Sequence, residues 1–105
     1  MRRGDVHRLR SSKGTGHEQQ GARFAVVVQA DAMLPRSVVV IAPTSRSARP
    51  ASFRPVVEVD GTVTKVLVEH VAAVDVRRLG RRVGRLDPEE QWAVDDALGL
   101  VLGLD

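Results

Sequence analysis

The sequence predicts a mainly β domain, a small barrel or sandwich followed by one amphipathic helix at the C-terminus. Three observations carry the prediction. Short apolar runs rich in β-branched residues recur at close spacing between turn residues, which points to antiparallel strands rather than a parallel sheet. An Asp60-Gly61 pair between alternating segments is a strong hairpin signal. After residue 86 the pattern becomes helical: Asp87-Pro88-Glu89-Glu90 places an N-cap acid before a proline at the first helical position, with a glutamate three residues after the cap.

Taken in order, Gly4-Asp5 opens a short strand over residues 6–9, followed by a polar, Gly-rich loop over 10–16. Residues 24–29, FAVVVQ, read as a buried strand. Residues 30–36, with Pro35, turn the chain into a second buried run at 38–42, which Pro43-Thr44-Ser45 ends. The Ser-, Arg- and Pro-rich residues 45–55 read as an exposed loop. Alternation over 55–59 enters the hairpin, and 63–74 returns as one or two strands. Five arginines in residues 77–85 surround Gly80 and Gly84; a solvated loop is the reading favoured over a phosphate site. Trp92, Ala93, Leu98, Val101 and Leu102 recur at helical spacing, giving a helix from about residue 88 to 102.

A chain of 105 residues has room for one core, so residues 1–105 form a single expected domain. A domain this small often gains stability by self-association, which makes a dimer a fair expectation. There is no cysteine, hence no disulfide framework, thiolate nucleophile or Cys-based zinc site. No apolar stretch reaches membrane-spanning length and no apolar segment follows the basic N-terminus, so a cytoplasmic protein is expected. Net charge is +3, but residues 1–55 hold ten Lys or Arg against three acids, while residues 86–105 hold six acids and no base. That asymmetry suggests an anionic partner. Fourteen of the sixteen bases are Arg, which a GC-rich genome also produces. Charge alone leaves both readings open.

His7, His17 and His70 lack the spacing of a local metal motif, and Gly14, Gly16 and Gly21 do not form a nucleotide fingerprint. No serine has a neighbouring Asp-His pair. The site candidates therefore sit at strand ends: Glu18 and Arg23 entering the strand at 24, Thr44 and Ser45 leaving the one at 38. Pairing those strands would bring a carboxylate, a guanidinium and a hydroxyl to one rim. The competing reading is a surface ion pair between Glu18 and Arg23, worth under about 1 kcal/mol.

Seven elements, in order and nearly end to end, resemble the MazF (PemK-type) toxins of bacterial toxin–antitoxin systems. They are Gly4-Asp5-Val6; Gly16-His17-Glu18-Gln19-Gln20-Gly21-Ala22-Arg23-Phe24, against the family's GSEQ-G-RP; the strand ending in Gln29; Pro43-Thr44-Ser45 after the second strand; Val57-Glu58-Val59-Asp60-Gly61; Val66-Leu67-Val68-Glu69-His70-Val71; and Arg78-Leu79-Gly80 with Gly84-Arg85-Leu86-Asp87.

The resemblance implies a small SH3-like β-barrel with a C-terminal helix, MazF/CcdB-like, acting as a homodimer. It implies a metal-independent, cofactor-free endoribonuclease that cuts single-stranded RNA (messenger, ribosomal or a transfer-RNA loop) and so inhibits translation and growth. The substrate's own 2′-OH attacks, leaving a 2′,3′-cyclic phosphate and a 5′-OH. Arg23 would hold the scissile phosphate, Thr44 would hydrogen-bond it and align the 2′-OH, and Glu18 is the base candidate. His17 stands where the family has Ser and is a bystander by default. Gln19, Ser45, Lys13, Arg10 and His70 join it as expected RNA contacts, and Phe24, in place of the family's proline, can stack on a base. A MazE-like antitoxin with an acidic C-terminal tail is the implied partner. Two alternatives stand beside the ribonuclease: a toxin of the same fold that inhibits DNA gyrase by protein binding, and a non-catalytic RNA-binding barrel.

Overall fold

The structure, a computed structural model, describes residues 1–10 and 23–104. Seven strands precede one helix: β1 Asp5–Leu9, β2 Phe24–Val27, β3 Val38–Ser45, β4 Val56–Val59, β5 Thr62–Val66, β6 Ala72–Asp75, β7 Leu79–Arg85 and α1 Pro88–Leu102. Short 3₁₀ turns lie at Asp31–Met33, Val68–His70 and Val76–Arg78. The strands run β4-β5-β3-β2-β1-β7, all pairs antiparallel, with β6 paired to β3 as well. The sheet curls until its ends approach: a Cβ on Gly84 of β7 would stand 3.6 Å from Val59 of β4. Among the described residues this is a mostly β half-barrel with one C-terminal helix, as the sequence predicts.

β2 explains why residues 24–28 are apolar without a break. Phe24, Val26 and Val28 face the barrel interior with Val6, Ala42, Val57, Val59, Val66, Val68 and Leu86, and α1 closes that interior with Val94 and Ala97. Ala25 and Val27 point the other way, into a second cluster with Val39, Ile41 and Leu79 that Leu9, Leu34, Val74 and Val76 cover. Buried on both faces, the strand cannot alternate.

β3 runs on through Ser45 rather than ending at Pro43. Along one edge it pairs with β6 over Val38–Ile41 and then with β5 at Thr44 and Ser45. Pro43 falls at the change of partner, where only its carbonyl is used, by Leu67 N at 2.8 Å. A proline there removes no ladder bond. The arginine-rich residues 79–85 are a strand, not a loop. Gly80 lets β7 lie close on β1, since a Cβ there would stand 3.2 Å from Arg8 Cβ. The pairing with β1 spans seventy positions of chain (Leu9 opposite Leu79) and overrides the poor strand propensity of glycine.

The N-terminal Gly4-Asp5 acquires a structural reason. Gly4 adopts φ +93°, donates to the Val27 carbonyl and accepts from Leu86 N. The Asp5 carboxylate is buried and accepts from Arg2 N (2.8 Å), Arg82 Nε (3.2 Å) and Arg85 Nη1 (2.9 Å). It thereby ties β1 to β7.

α1 begins as predicted, with a full capping box between Asp87 and Glu90. The second Glu90 oxygen accepts from Glu58 N, binding the helix start to the free edge of β4. The inward face is Val94, Ala97, Leu98 and Val101. Trp92 and Leu102, two of the residues whose helical spacing marked the apolar face, are 74% and 52% exposed. Spacing alone admits either face, and the β4 edge and Gly4 fix the rotation by engaging Glu90 and Gln91. Asp87→Ala should lower stability by about 1 kcal/mol, read as a reduced urea midpoint with unchanged slope.

Candidate functional site

The strand-end site forms where β2 and β3 start to part. Val28 N donates to the Val40 carbonyl, and Val26 faces Ala42, so a regular ladder would next join Phe24 N to the Thr44 carbonyl. That bond is replaced. Phe24 N donates to the Thr44 hydroxyl at 3.2 Å, and the Thr44 carbonyl instead accepts twice from the Arg23 guanidinium, from Nε at 3.2 Å and Nη2 at 3.1 Å. The Thr44 side chain thus stands in for its own carbonyl. Arg23 is clamped against the sheet edge, half-buried, with Nη1 left without a hydrogen bond among the described residues. A fixed guanidinium offering one free edge is a ready receptor for a phosphate oxygen.

The expected residues separate clearly. Arg23 and Thr44 are brought together. Ser45 is the next residue along β3, half-buried, its Oγ 3.5 Å from that of Ser47. Arg10 lies at the same end of β1, but its guanidinium donates to the Arg77 carbonyl at 2.6 Å, and Arg78 donates back to the Arg10 carbonyl. His70 is exposed, its Nε2 3.8 Å from Glu69, with no hydrogen bond to Arg23 or Thr44. Glu69 holds the β3–β4 loop by taking Arg54 Nε and Nη2 at 2.8 and 2.7 Å. Burial pushes the Glu69 carboxyl up, but the Arg54 hydrogen bond, a backbone hydrogen bond and the charges of Arg54 and His70 together outweigh it, so the group ends below the ordinary glutamate value. Glu18, His17, Gln19 and Lys13 lie outside the described residues.

Two expectations need correction. Phe24 is 5% exposed and packs inside the barrel with Val26 and Val28, so its ring does not stack on a base. The alternation of β2 dictates this: Arg23 and Ala25 take the outer face and Phe24 the inner one. Thr44 is likewise buried, at 2% exposure, with its hydroxyl engaged by Phe24 N. It holds Arg23 in place rather than offering a surface oxygen.

One residue escaped the sequence reading. His7 alternates with Asp5 and Leu9 on the outer face of β1 and stands opposite Ala25. Its Nδ1 lies 2.9 Å from the Gly80 carbonyl, and its Nε2 is buried with no partner among the described residues. The available signal was the register of two short strands, which no local pattern encodes.

A curled antiparallel half-barrel with a capping helix is the fold of the MazF-type toxins. Residues 2–102 match the PemK-like, MazF-like toxins of type II toxin–antitoxin systems. Over 104 residues the chain is 42% identical to a candidate toxin of Mycobacterium tuberculosis, with 97% of each chain covered. An endoribonuclease from a mycobacterial species, solved with its cognate antitoxin, shares the fold at a TM-score of 0.81 and 21% identity, covering 100% of this chain and 97% of that one. A MazE–MazF structure from Deinococcus radiodurans does so at 0.81 and 24% identity, over 100% and 97%. The chain belongs to the PemK-like, MazF-like family and is a toxin of a type II toxin–antitoxin system. No helix among the described residues is long and apolar enough to cross a membrane.

Proposed function

We propose that this toxin is a metal-independent endoribonuclease that cuts single-stranded RNA. The observation that carries the reading is the clamp on Arg23. Two donors spent on the Thr44 carbonyl hold the guanidinium, with Nη1 unspent among the described residues. A permanently charged group held in this way stabilises the phosphorane-like charge that develops as the 2′-oxygen attacks phosphorus. The products are a 2′,3′-cyclic phosphate and a 5′-OH. Thr44 serves as a positioning residue, acting through Arg23.

Thr44→Val tests that role. It preserves shape but leaves Phe24 N without its acceptor, so Phe24 N competes for the carbonyl and Arg23 is released. The expected result is a stability loss of about 1–3 kcal/mol and a kcat lower by about a hundredfold, with KM for RNA changed far less. Unchanged kcat in a folded T44V protein would remove Thr44 from the site.

The chain is proposed to act as a homodimer in the cytoplasm, partnered by an antitoxin whose acidic tail competes with RNA for the basic half of the molecule. Regulated expression in a bacterial host separates this reading from gyrase inhibition. A ribonuclease arrests growth with fragmented RNA and normal plasmid supercoiling, and Arg23→Ala abolishes the arrest. Arrest that survives R23A, with relaxed plasmid, would support the gyrase reading instead.

A further inference from the structure

The arginines of β7 and of the turn before it divide into engaged and free. Arg77 pairs with Asp75, Arg78 donates to the Arg10 carbonyl, and Arg82 and Arg85 share the Asp5 carboxylate. The side chains of Arg81 and, on the neighbouring β1, of Arg8 have no hydrogen bond or ion pair among the described residues, and both residues are exposed. Asp5 is the one acid in β1 or β7, and it is already engaged.

The register sets these two arginines across from each other. His7 pairs with Arg82 and Leu9 with Leu79, so Arg8 alone stands opposite both Gly80 and Arg81. That is a β-bulge, a device that re-aims side chains beside functional sites. Gly80 lets the strands close here, since a Cβ on it would stand 3.2 Å from Arg8 Cβ. Like charges set across a strand pair are destabilising. Local rules are broken in this way chiefly at functional sites.

The pair lies at the Arg23 end of the barrel. Arg8 pairs with Phe24, the residue after Arg23, and Leu9 N donates to the Arg23 carbonyl at 3.0 Å. Alternation puts Arg8 on the interior face with Val6 and Phe24, yet it is exposed, so the interior opens to solvent at this level. The Arg23 guanidinium is held toward β3 by the Thr44 carbonyl. From β3 to β1 is two strand spacings, about 10 Å, too far for the pair and Arg23 to grip one phosphate.

We infer that Arg8 and Arg81 form a second phosphate seat, which holds a backbone phosphate of the RNA other than the scissile one. The inference rests on the ribonuclease reading. Two guanidiniums on one phosphate neutralise it through charge-assisted hydrogen bonds and fix the position of the strand without reading a base. A strand whose scissile phosphate meets Arg23 brings further phosphates past this rim at every nucleotide. An acidic peptide offers no such fixed spacing.

The test measures binding of a single-stranded RNA carrying the mapped cut site, with a 2′-deoxynucleotide there to prevent cleavage, over a range of salt. Arg8→Gln with Arg81→Gln removes only exposed side chains, and its urea midpoint checks that it folds. This double variant should bind about tenfold more weakly at low salt. Its slope of log affinity against log salt should be shallower by about 0.7, the value for one phosphate of a single strand. Lysine at both positions should recover most of that slope. A neutral methylphosphonate at one linkage away from the cut should weaken binding to wild type and leave the glutamine variant unaffected. A wild-type slope in the folded glutamine variant, or no such linkage, overturns the inference. So does unchanged RNA binding beside weakened binding of polyglutamate, which assigns the pair to an acidic polypeptide. Should wild type cut no RNA, the ribonuclease reading falls, and the same slopes measured on oligouridine decide the seat.

Discussion

Arg23→Ala should lower the RNA-cleavage rate by at least about a hundredfold, the loss expected when a preorganised donor to developing charge is removed. The fold should survive it, because Arg23 is half-buried at a strand end and, among the described residues, its side-chain bonds go only to the Thr44 carbonyl. The conservative variant is the sharper measurement. Arg23→Lys keeps the charge, yet an ammonium lacks the planar fork that lets Nε and Nη2 hold one carbonyl while another edge faces out. R23K should therefore fall close to R23A in kcat while binding RNA nearly as well as wild type at low salt. Rapid-quench rates beside fluorescence affinities check both statements, and R23K at near wild-type rates would reduce Arg23 to a point charge.

The second large effect falls on stability and pH. Burial alone would raise the Asp5 pKa, but hydrogen bonds from Arg2 N, Arg82 and Arg85 prevail, so the folded value lies below the ordinary 3.8. A depressed folded pKa means the ion pairs contribute fully above the unfolded value and are lost as pH falls through the folded one. The window therefore lies below about pH 4. At pH 7 Asp5→Asn should cost about 1–3 kcal/mol, since Arg82 and Arg85 are partly exposed and recover some hydration. The gap between wild type and D5N should close as pH drops through that window. Glu69 titrates in the same direction, so the informative quantity is the difference between the two proteins rather than either slope. Urea midpoints at pH 7, 5, 4 and 3 measure it, and a constant gap would show that the Asp5 charge is not what matters.

How far the fold could be read ahead depends on where its determinants lie. The start of the helix was legible, because Asp87, Pro88 and Glu90 write the capping box within four positions. The hairpin was equally local: Asp60 and Gly61 take φ of 54° and 77°, the left-handed values that residue pair favours. β7 was illegible. Its arginines look solvated from sequence, and only Asp5, some eighty residues away, explains why Arg82 and Arg85 lie in a strand. Trp92 misled for a related reason, since helical spacing gives a face but the partner that buries it is not in the helix.

The site divides in the same way. Arg23 and Thr44 were placed together from order and resemblance, but the exchange of hydrogen bonds that clamps the arginine depends on the β2–β3 register. Thr44 consequently changed from a surface ligand to a buried support, and Phe24 from a base-stacking ring to core. His7 was set aside with the other histidines because only strand pairing brings it to the Gly80 carbonyl.

The most direct measurement of the central claim is incubation of purified toxin with total cellular RNA in EDTA, beside R23A, with fragment ends mapped by ligation selective for 5′-OH. The account predicts discrete 5′-OH ends at a recurring short sequence, absent with R23A. Intact RNA from folded wild-type protein, or ends that persist in R23A, would contradict it.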